Sequence, residues 1–309
     1  MRIIILGGTG LIGSAVASTL AQSGYEIIIL TRNLQKYSNI LTSYNYVYWD
    51  GQTSKGWIQW LEGDYAMINL AGESIAGERF TDLRWTLARK KSILESRLNA
   101  GQAVTEAIRT ATSKPAVLIQ ASAIGYYGAS LSGQEFTEKD APGDDFLAYV
   151  STKWERSTER VAEQGVRRVV IRIGVVLSNK GGALPKQIIP FRYYIGGTIG
   201  SGRQWYSWIN IDDVAYALKF FIENAQTTGA FNICSPNPVT NKEFSKELAK
   251  TMQRPSWIPI PSFVLFHLLG EASKLLTQGQ RVIPQRLLNH GYSFQYNELK
   301  YALRNLLSV

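Results

Sequence analysis

The chain begins with RIIILGGTGLIGSAV, of which RIIIL covers residues 2–6 and the glycines stand at 7, 10 and 13. Five residues of strand character run straight into bare backbone, and an amphipathic pattern, LIGSAVASTLAQSG, then continues to Gly24. A strand-to-helix turn this tight needs one residue without a Cβ. A pyrophosphate approaching main-chain amides needs a second, and close packing of helix on sheet a third. The amides and dipole at the start of the helix hold negative charge. Between an N-terminal strand and a helix, the G-x-x-G-x-x-G spacing predicts a dinucleotide site formed by Gly7, Thr9, Gly10, Leu11, Ile12 and Gly13. No Gly-Lys-Ser/Thr follows, which excludes a Walker-type loop.

The same rhythm continues outward. EIIIL, YVYW, AMINLAG, AVLIQAS and RVVIRIGVVL are short apolar runs. Helical stretches separate them: one near GWIQWLEG, one from about Leu83 to Ala111, and one from about Phe146 to Gln164 that stops at Gly165. Fully apolar strands alternating with helices predict an α/β fold, a doubly wound parallel sheet covered on both faces. After about Ser178 the pattern becomes rich in glycine and aromatics and reads as loops around a substrate cleft. From residue 241 it is helical and broken by prolines. The expected division is a dinucleotide-binding domain over 1–240 and a smaller helical region over 241–309.

Composition narrows the function classes. The 309 residues carry a net charge of +9, one cysteine (Cys234) and two histidines (His267 and His290). These numbers argue against a disulfide framework, a cysteine-rich metal cluster and a serine–histidine triad. No metal is expected. No run of eighteen apolar residues points to a membrane span, and no signal peptide is read at the start, so a cytoplasmic protein is expected. The basic stretch RWTLARKKSILESR reads as a helix with a solvated face, and no RNA-binding motif accompanies it. An anionic cofactor accounts for the charge more simply than nucleic acid does.

The cofactor's identity is read at the end of the second strand. Enzymes that use NAD usually place an acidic side chain there, on the ribose 2′-hydroxyl. Here Thr31-Arg32-Asn33 follows EIIIL. A guanidinium suits a 2′-phosphate, so NADP(H) is expected over NAD(H). Asp50 is a candidate acceptor for the adenine amine. Leu70, Ala71 and Gly72 of NLAG are small enough to let backbone lie along the cofactor.

GGTGLIG, NLAG, SAIGYYG, RIGVVL and WINIDDVA, in this order, resemble the extended short-chain dehydrogenase/reductase superfamily of the nucleotide-sugar epimerase type. NLAGESIAGERF, SILESR, FTEKDAPGDDFLA, GSGRQWYSWI, NICSPNPVTNKEF and GQRVIPQRLLNHGYSFQY resemble an epimerase-like subfamily with a C-terminal domain of unknown function. The resemblance spans nearly the whole chain. It implies a Rossmann fold, hydride transfer at a nicotinamide and an active site of serine plus Tyr-x-x-x-Lys. AYVSTKWE supplies Tyr149 and Lys153, which would act as acid/base and as the group that lowers its pKa and binds the nicotinamide ribose. A second match, Tyr296 with Lys300, lies in the tail, where no strand follows. Ala123 stands where the superfamily's last serine would be, leaving Ser122 or Tyr126 as substitutes. Arg97, Gln204, Trp205, Ser207 and Trp208 are expected around the substrate. Asp212 and Asp213 are expected to cap the next helix. Two readings stay open: an NADP(H)-dependent epimerase or reductase acting on a small molecule, with a homodimer as the expected assembly, and a catalytically weak NADP(H)-binding sensor or assembly factor.

Overall fold

The computed structural model describes residues 1–37, 44–77, 84–130 and 133–308. The GERF end of NLAGESIAGERF therefore falls largely outside the described residues, as does Leu83. Seven strands form one parallel sheet: β1 (Arg2–Leu6), β2 (Glu26–Thr31), β3 (Tyr44–Tyr48), β4 (Tyr65–Asn69), β5 (Leu118–Ala123), β7 (Arg168–Ile173) and β11 (Gly229–Ile233). Their order is β11-β7-β5-β4-β1-β2-β3, with the two-residue β6 (Glu135–Phe136) outside the sheet. The order reverses between β1 and β4, and the crevice beyond their C-terminal ends is where such sheets hold ligands.

The expected doubly wound sheet is thus present, and alternation along β1 shows why. Ile3 and Ile5 pack with Val16, Ala17 and Leu20 of α1 (Leu11–Gln22) and with Phe221 of α5 (Ile211–Glu223). Ile4 and Leu6 face the other way, onto Ala100, Ala103 and Val104 of α2 (Leu87–Thr110). All four β1 side chains are fully buried, each contributing about 1.5–3 kcal/mol of transfer free energy.

Three local expectations change. The helix expected to Gln164 is α3 (Phe146–Arg156), capped by the Asp145 side chain, followed by a separate 3₁₀ helix over Glu159–Gln164. The segment near GWIQWLEG is only a 3₁₀ turn, Ile58–Trp60. The stretch read as loops contains α4 (Leu184–Arg192), which tolerates Pro185 because the first turn needs no amide donor there.

The remaining elements tie the C-terminal third to the sheet. β8 (Val175–Leu177) pairs with β10 (Trp208–Asn210), β9 (Trp205–Tyr206) with β12 (Val239–Thr240), and β6 with β13 (Arg281–Val282). The expected division at residue 241 is the start of α6 (Asn241–Met252), held by a Thr240–Glu243 capping box. A single apolar cluster nevertheless joins both sides of it. Leu177, Leu184 and Trp208 pack with Phe244 and Leu248, and with Leu299 and Leu303 of the C-terminal helix, Leu299–Leu307.

Candidate functional site

The glycine loop leaves β1 with Gly7 at φ +79°, a left-handed conformation that favours glycine. A Cβ on Gly7 would also lie 2.9 Å from the carbonyl carbon of Leu70, so β1 and the NLAG segment meet backbone to backbone. A Cβ on Gly13 would come within 2.2 Å of the Gly7 carbonyl oxygen and 2.6 Å of Gly8 Cα. Gly10 caps α1 without any side-chain bond to the first amides. The Gly10 amide closes the turn on the Gly7 carbonyl (3.1 Å), and the amides that follow open α1 without a side-chain cap, which suits a diphosphate. Behind NLAG, Asn69 donates to Gln120 (2.9 Å) and its carbonyl oxygen accepts from the Ala71 amide (3.2 Å), which pins the strand's end.

Arg32 is exposed just beyond β2. Gly51 makes room for it, since a Cβ there would stand 3.1 Å from Arg32 Cδ. Asp50 is nearby, but its carboxylate accepts from the amides of Gln52 and Thr53 and from the Thr53 hydroxyl, at 2.6–2.8 Å. Slight burial pushes its carboxyl up, yet these bonds hold it below the ordinary value. Its first job is therefore to shape the turn that carries Gly51.

At the C-terminal ends of β5 and β7 lies a cavity of about 190 Å³, lined there by Ala123 and Ile173. α3 presents Leu147, Val150, Ser151 and Trp154 to it, and Arg97, Ala123, Gln204 and Trp205 close other sides. Tyr149 and Lys153 are not among its lining residues. Tyr149 is 52% exposed on the outer face of α3, with the Lys153 ammonium 5.6 Å from its ring centre. The apolar positions at i, i+3 and i+7 (147, 150, 154) are the sequence signal for the buried face, and Tyr149 lies off that stripe.

Ser122 faces away from the cavity, as the alternation of a strand requires for the neighbour of Ala123. Its hydroxyl donates to Glu155 (2.7 Å). Glu155 also accepts from Arg172 at 2.9 and 3.1 Å, and Arg172 reaches the Tyr127 hydroxyl (3.1 Å), which donates to Asn232 (2.7 Å). Tyr126 covers the same guanidinium, 3.4 Å from its ring centre. Glu155 and Arg172 were not singled out from sequence, because they meet only when α3 packs on β5 and β7.

Two further placements are corrections. Trp208 is fully buried in the apolar cluster, donating to the Asn237 carbonyl (3.1 Å), and does not reach the cavity. The side chain that caps α5 is Asn210, accepting from the Asp212 amide. Asp213 is buried and accepts from the amides of Gln295 (2.7 Å) and Tyr296 (3.0 Å), fastening the C-terminal tail. Ser207 lines the cavity, but its hydroxyl donates to the Gln280 carbonyl and accepts from the Val282 amide. His290 lies against the Arg286 carbonyl and packs on Phe231, a structural setting.

A Rossmann-like parallel sheet with a three-glycine loop at its switch point defines a dinucleotide-binding class of α/β protein. Residues 3–234 match the NAD dependent epimerase/dehydratase family, to which the chain belongs, and residues 260–306 match a domain of unknown function, DUF1731. The chain is 40% identical to the epimerase family protein YfhF of Bacillus subtilis, over 100% of this chain and 98% of that one. It is 37% identical to the chloroplastic SDR39U1 homolog of Arabidopsis thaliana, covering 99% and 87% respectively. The crystal structure of human SDR39U1 (isoform 2) with NADPH superposes with a TM-score of 0.88 at 35% identity, covering 100% of this chain and 99% of that one. No helix among the described residues is long and apolar enough to cross a membrane.

Proposed function

We propose that this protein binds NADP(H) in the glycine crevice and holds a small molecule in the adjoining cavity, without using Tyr149 and Lys153 as its acid/base pair. The observation that carries cofactor binding is the Gly7–Gly13 closure, where the Cβ of any other residue would collide with backbone. The amides of Thr9, Leu11, Ile12 and Gly13 cradle the diphosphate while that of Gly10 closes the turn on the Gly7 carbonyl, Arg32 meets the 2′-phosphate, and the backbone of Leu70, Ala71 and Gly72 lies along the nicotinamide half. The NADPH in the human relative supports the same choice of cofactor. Bound NADPH would supply a hydride; the chain's own part is to orient the nicotinamide and exclude water above the cavity.

The phase of α3 favours the catalytically weak reading. Leu147 and Ser151, spaced i and i+4, occupy the cavity-facing positions where a tyrosine and lysine would be useful. Ser122 is engaged by Glu155, and neither Ser122 nor Tyr126 is among the residues lining the cavity, so neither is placed to replace them. Calorimetric titration with NADPH and NADH tests the first half; lack of binding by either at millimolar concentration would overturn it. For the second half, NADPH oxidation is followed with aldehydes, quinones and nucleotide sugars, using wild type and Tyr149→Phe. Turnover that Tyr149→Phe abolishes while NADPH still binds would restore Tyr149 as the acid/base.

A further inference from the structure

Glycines shape the cavity at the ends of β5 and β7. Gly125 belongs to the 3₁₀ turn Ile124–Tyr127 that faces α3, and a Cβ there would press on Leu147 Cβ (3.2 Å) and approach Ser151 Oγ (3.8 Å). Gly174 and Gly279 bring bare backbone to other sides. A Cβ on Gly174 would come within 2.5 Å of the Ser207 carbonyl oxygen, and one on Gly279 within 2.0 Å of that of Trp205. All three glycines line the space, and much of the remaining wall is hydrocarbon, supplied by Leu147, Val150, Ile173, Val175, Ile199 and Leu275.

The polar side chains around it are largely turned back into the protein. Ser207 is held between the Gln280 carbonyl (2.7 Å) and the Val282 amide (2.9 Å). The Gln204 amide nitrogen donates to the carbonyls of Ile199 (2.9 Å) and Leu276 (2.8 Å), and that of Gln280 to the Gly128 carbonyl (2.6 Å). Asn241 accepts from the Ile199 amide (2.8 Å). Arg97 Nη1 donates to the carbonyls of Glu73 (3.0 Å) and Ile93 (2.8 Å). Burial lowers its guanidinium to about 10 and the Glu73 carboxylate opposes that shift, so Arg97 stays charged within reach of a counter-charge. Lys274, the other lining cation, is exposed to water. A sugar placed against such walls would leave most of its hydroxyls unbonded, at a cost for each. Ser151 differs. It lies one turn beyond Leu147 on α3, lines the space, and its hydroxyl makes no hydrogen bond to a described residue.

Size supplies the last constraint. The space measures about 190 Å³, and a dry cavity of about 150 Å³ is enough for benzene. We infer that the cavity takes a small uncharged molecule about one aromatic ring in size, apolar over most of its surface, with one acceptor oxygen on the Ser151 hydroxyl. This rests on the reading that NADP(H) fills the glycine crevice. A nucleoside-diphosphate sugar is too large to be enclosed there and too polar for its walls.

The test uses the full chain saturated with NADPH, titrated calorimetrically with acetophenone, toluene, benzoate and UDP-glucose. Acetophenone should bind with 1:1 stoichiometry, toluene should compete with it, and benzoate should bind about tenfold more weakly or worse. Ser151→Ala should weaken acetophenone about three- to tenfold and leave toluene, which has no acceptor, unchanged; a merely structural role for Ser151 would move both. Leu147→Trp, which fills the space, should abolish binding of both; if that variant does not fold, the Ser151→Ala comparison decides alone. No heat from acetophenone up to about 10 mM, no competition from toluene, benzoate bound as tightly as acetophenone, competition by UDP-glucose, displacement of NADPH by acetophenone, or Ser151→Ala moving both probes or neither would each overturn the inference. Failure of NADPH to bind is read in the loading step and would instead overturn the function proposed above, with acetophenone binding then measured on the unloaded chain.

Discussion

Gly13→Ala is the sharpest perturbation of the proposed cofactor cradle. The added methyl would start 2.2 Å from the Gly7 carbonyl oxygen and 2.6 Å from Gly8 Cα, whereas ordinary contact begins at 3.4 Å. Both neighbours are backbone, so no side-chain rotation relieves the clash. Nor can Gly7 retreat freely, because the Leu70 carbonyl already stands 2.9 Å from its Cβ position. Either the loop or the start of α1 must shift by about 1 Å. Overpacking of this kind costs about 1–3 kcal/mol, which a urea or thermal unfolding curve would register. The larger effect should fall on the cofactor. A displaced loop misaligns the amides aimed at the diphosphate, and each charge-assisted bond lost removes about 1.5–3 kcal/mol. NADPH should therefore bind about 10- to 100-fold more weakly in a calorimetric titration. Gly133→Ala is the control, since nothing lies within 4 Å of its Cβ position; it should change neither quantity. If Gly13→Ala lowered stability but bound NADPH as wild type does, the glycines would be a packing device and the cradle argument would fail.

Arg32→Ala should weaken NADPH about tenfold or more while leaving NADH affinity unchanged, because the guanidinium can distinguish them only through the 2′-phosphate; a parallel loss for both in the same titration would refute its role. Glu155→Gln should destabilise the fold by about 3–5 kcal/mol in urea titration, since it leaves the Arg172 guanidinium, 5% exposed, without its counter-charge. Ser122→Ala should cost only about 1 kcal/mol in the same measurement. Glu138 provides a test of pH dependence: burial, only partly offset by the amides of Asn232 and Arg286, raises its carboxyl above the ordinary value. It therefore holds its proton more tightly folded than unfolded, and its contribution to stability is full below the unfolded value and is lost as pH rises through the folded one. The unfolding free energy of wild type minus that of Glu138→Gln should accordingly be smaller at pH 7 than at pH 4.5, and a difference that grew with pH would refute the assignment.

What the sequence disclosed and what it withheld divide along a physical line. The glycine loop was legible because its constraints are local: a strand, a tight turn and a helix within fifteen residues, each glycine answering to backbone a few positions away. Family membership and the parallel sheet followed from patterns of the same short range. The position of Arg32 was legible for a similar reason, since the residue after the second strand of such a sheet lies at the edge of the crevice. α3 shows where such reasoning stops. Spacing of i and i+4 puts Tyr149 and Lys153 on one face but does not say which face; Leu147, Val150 and Trp154 do, by being apolar where the core must be. Weighed against the motif, that apolar stripe alone is enough to turn the tyrosine outward. Trp205 and Trp208 raise the same question of phase at shorter range, for three residues along extended backbone separate opposite sides. The make-up of the cavity was beyond this reach altogether. Arg97 comes from the middle of α2, Trp154 from the end of α3 and Gln204 from the turn before β9, and no periodicity relates them.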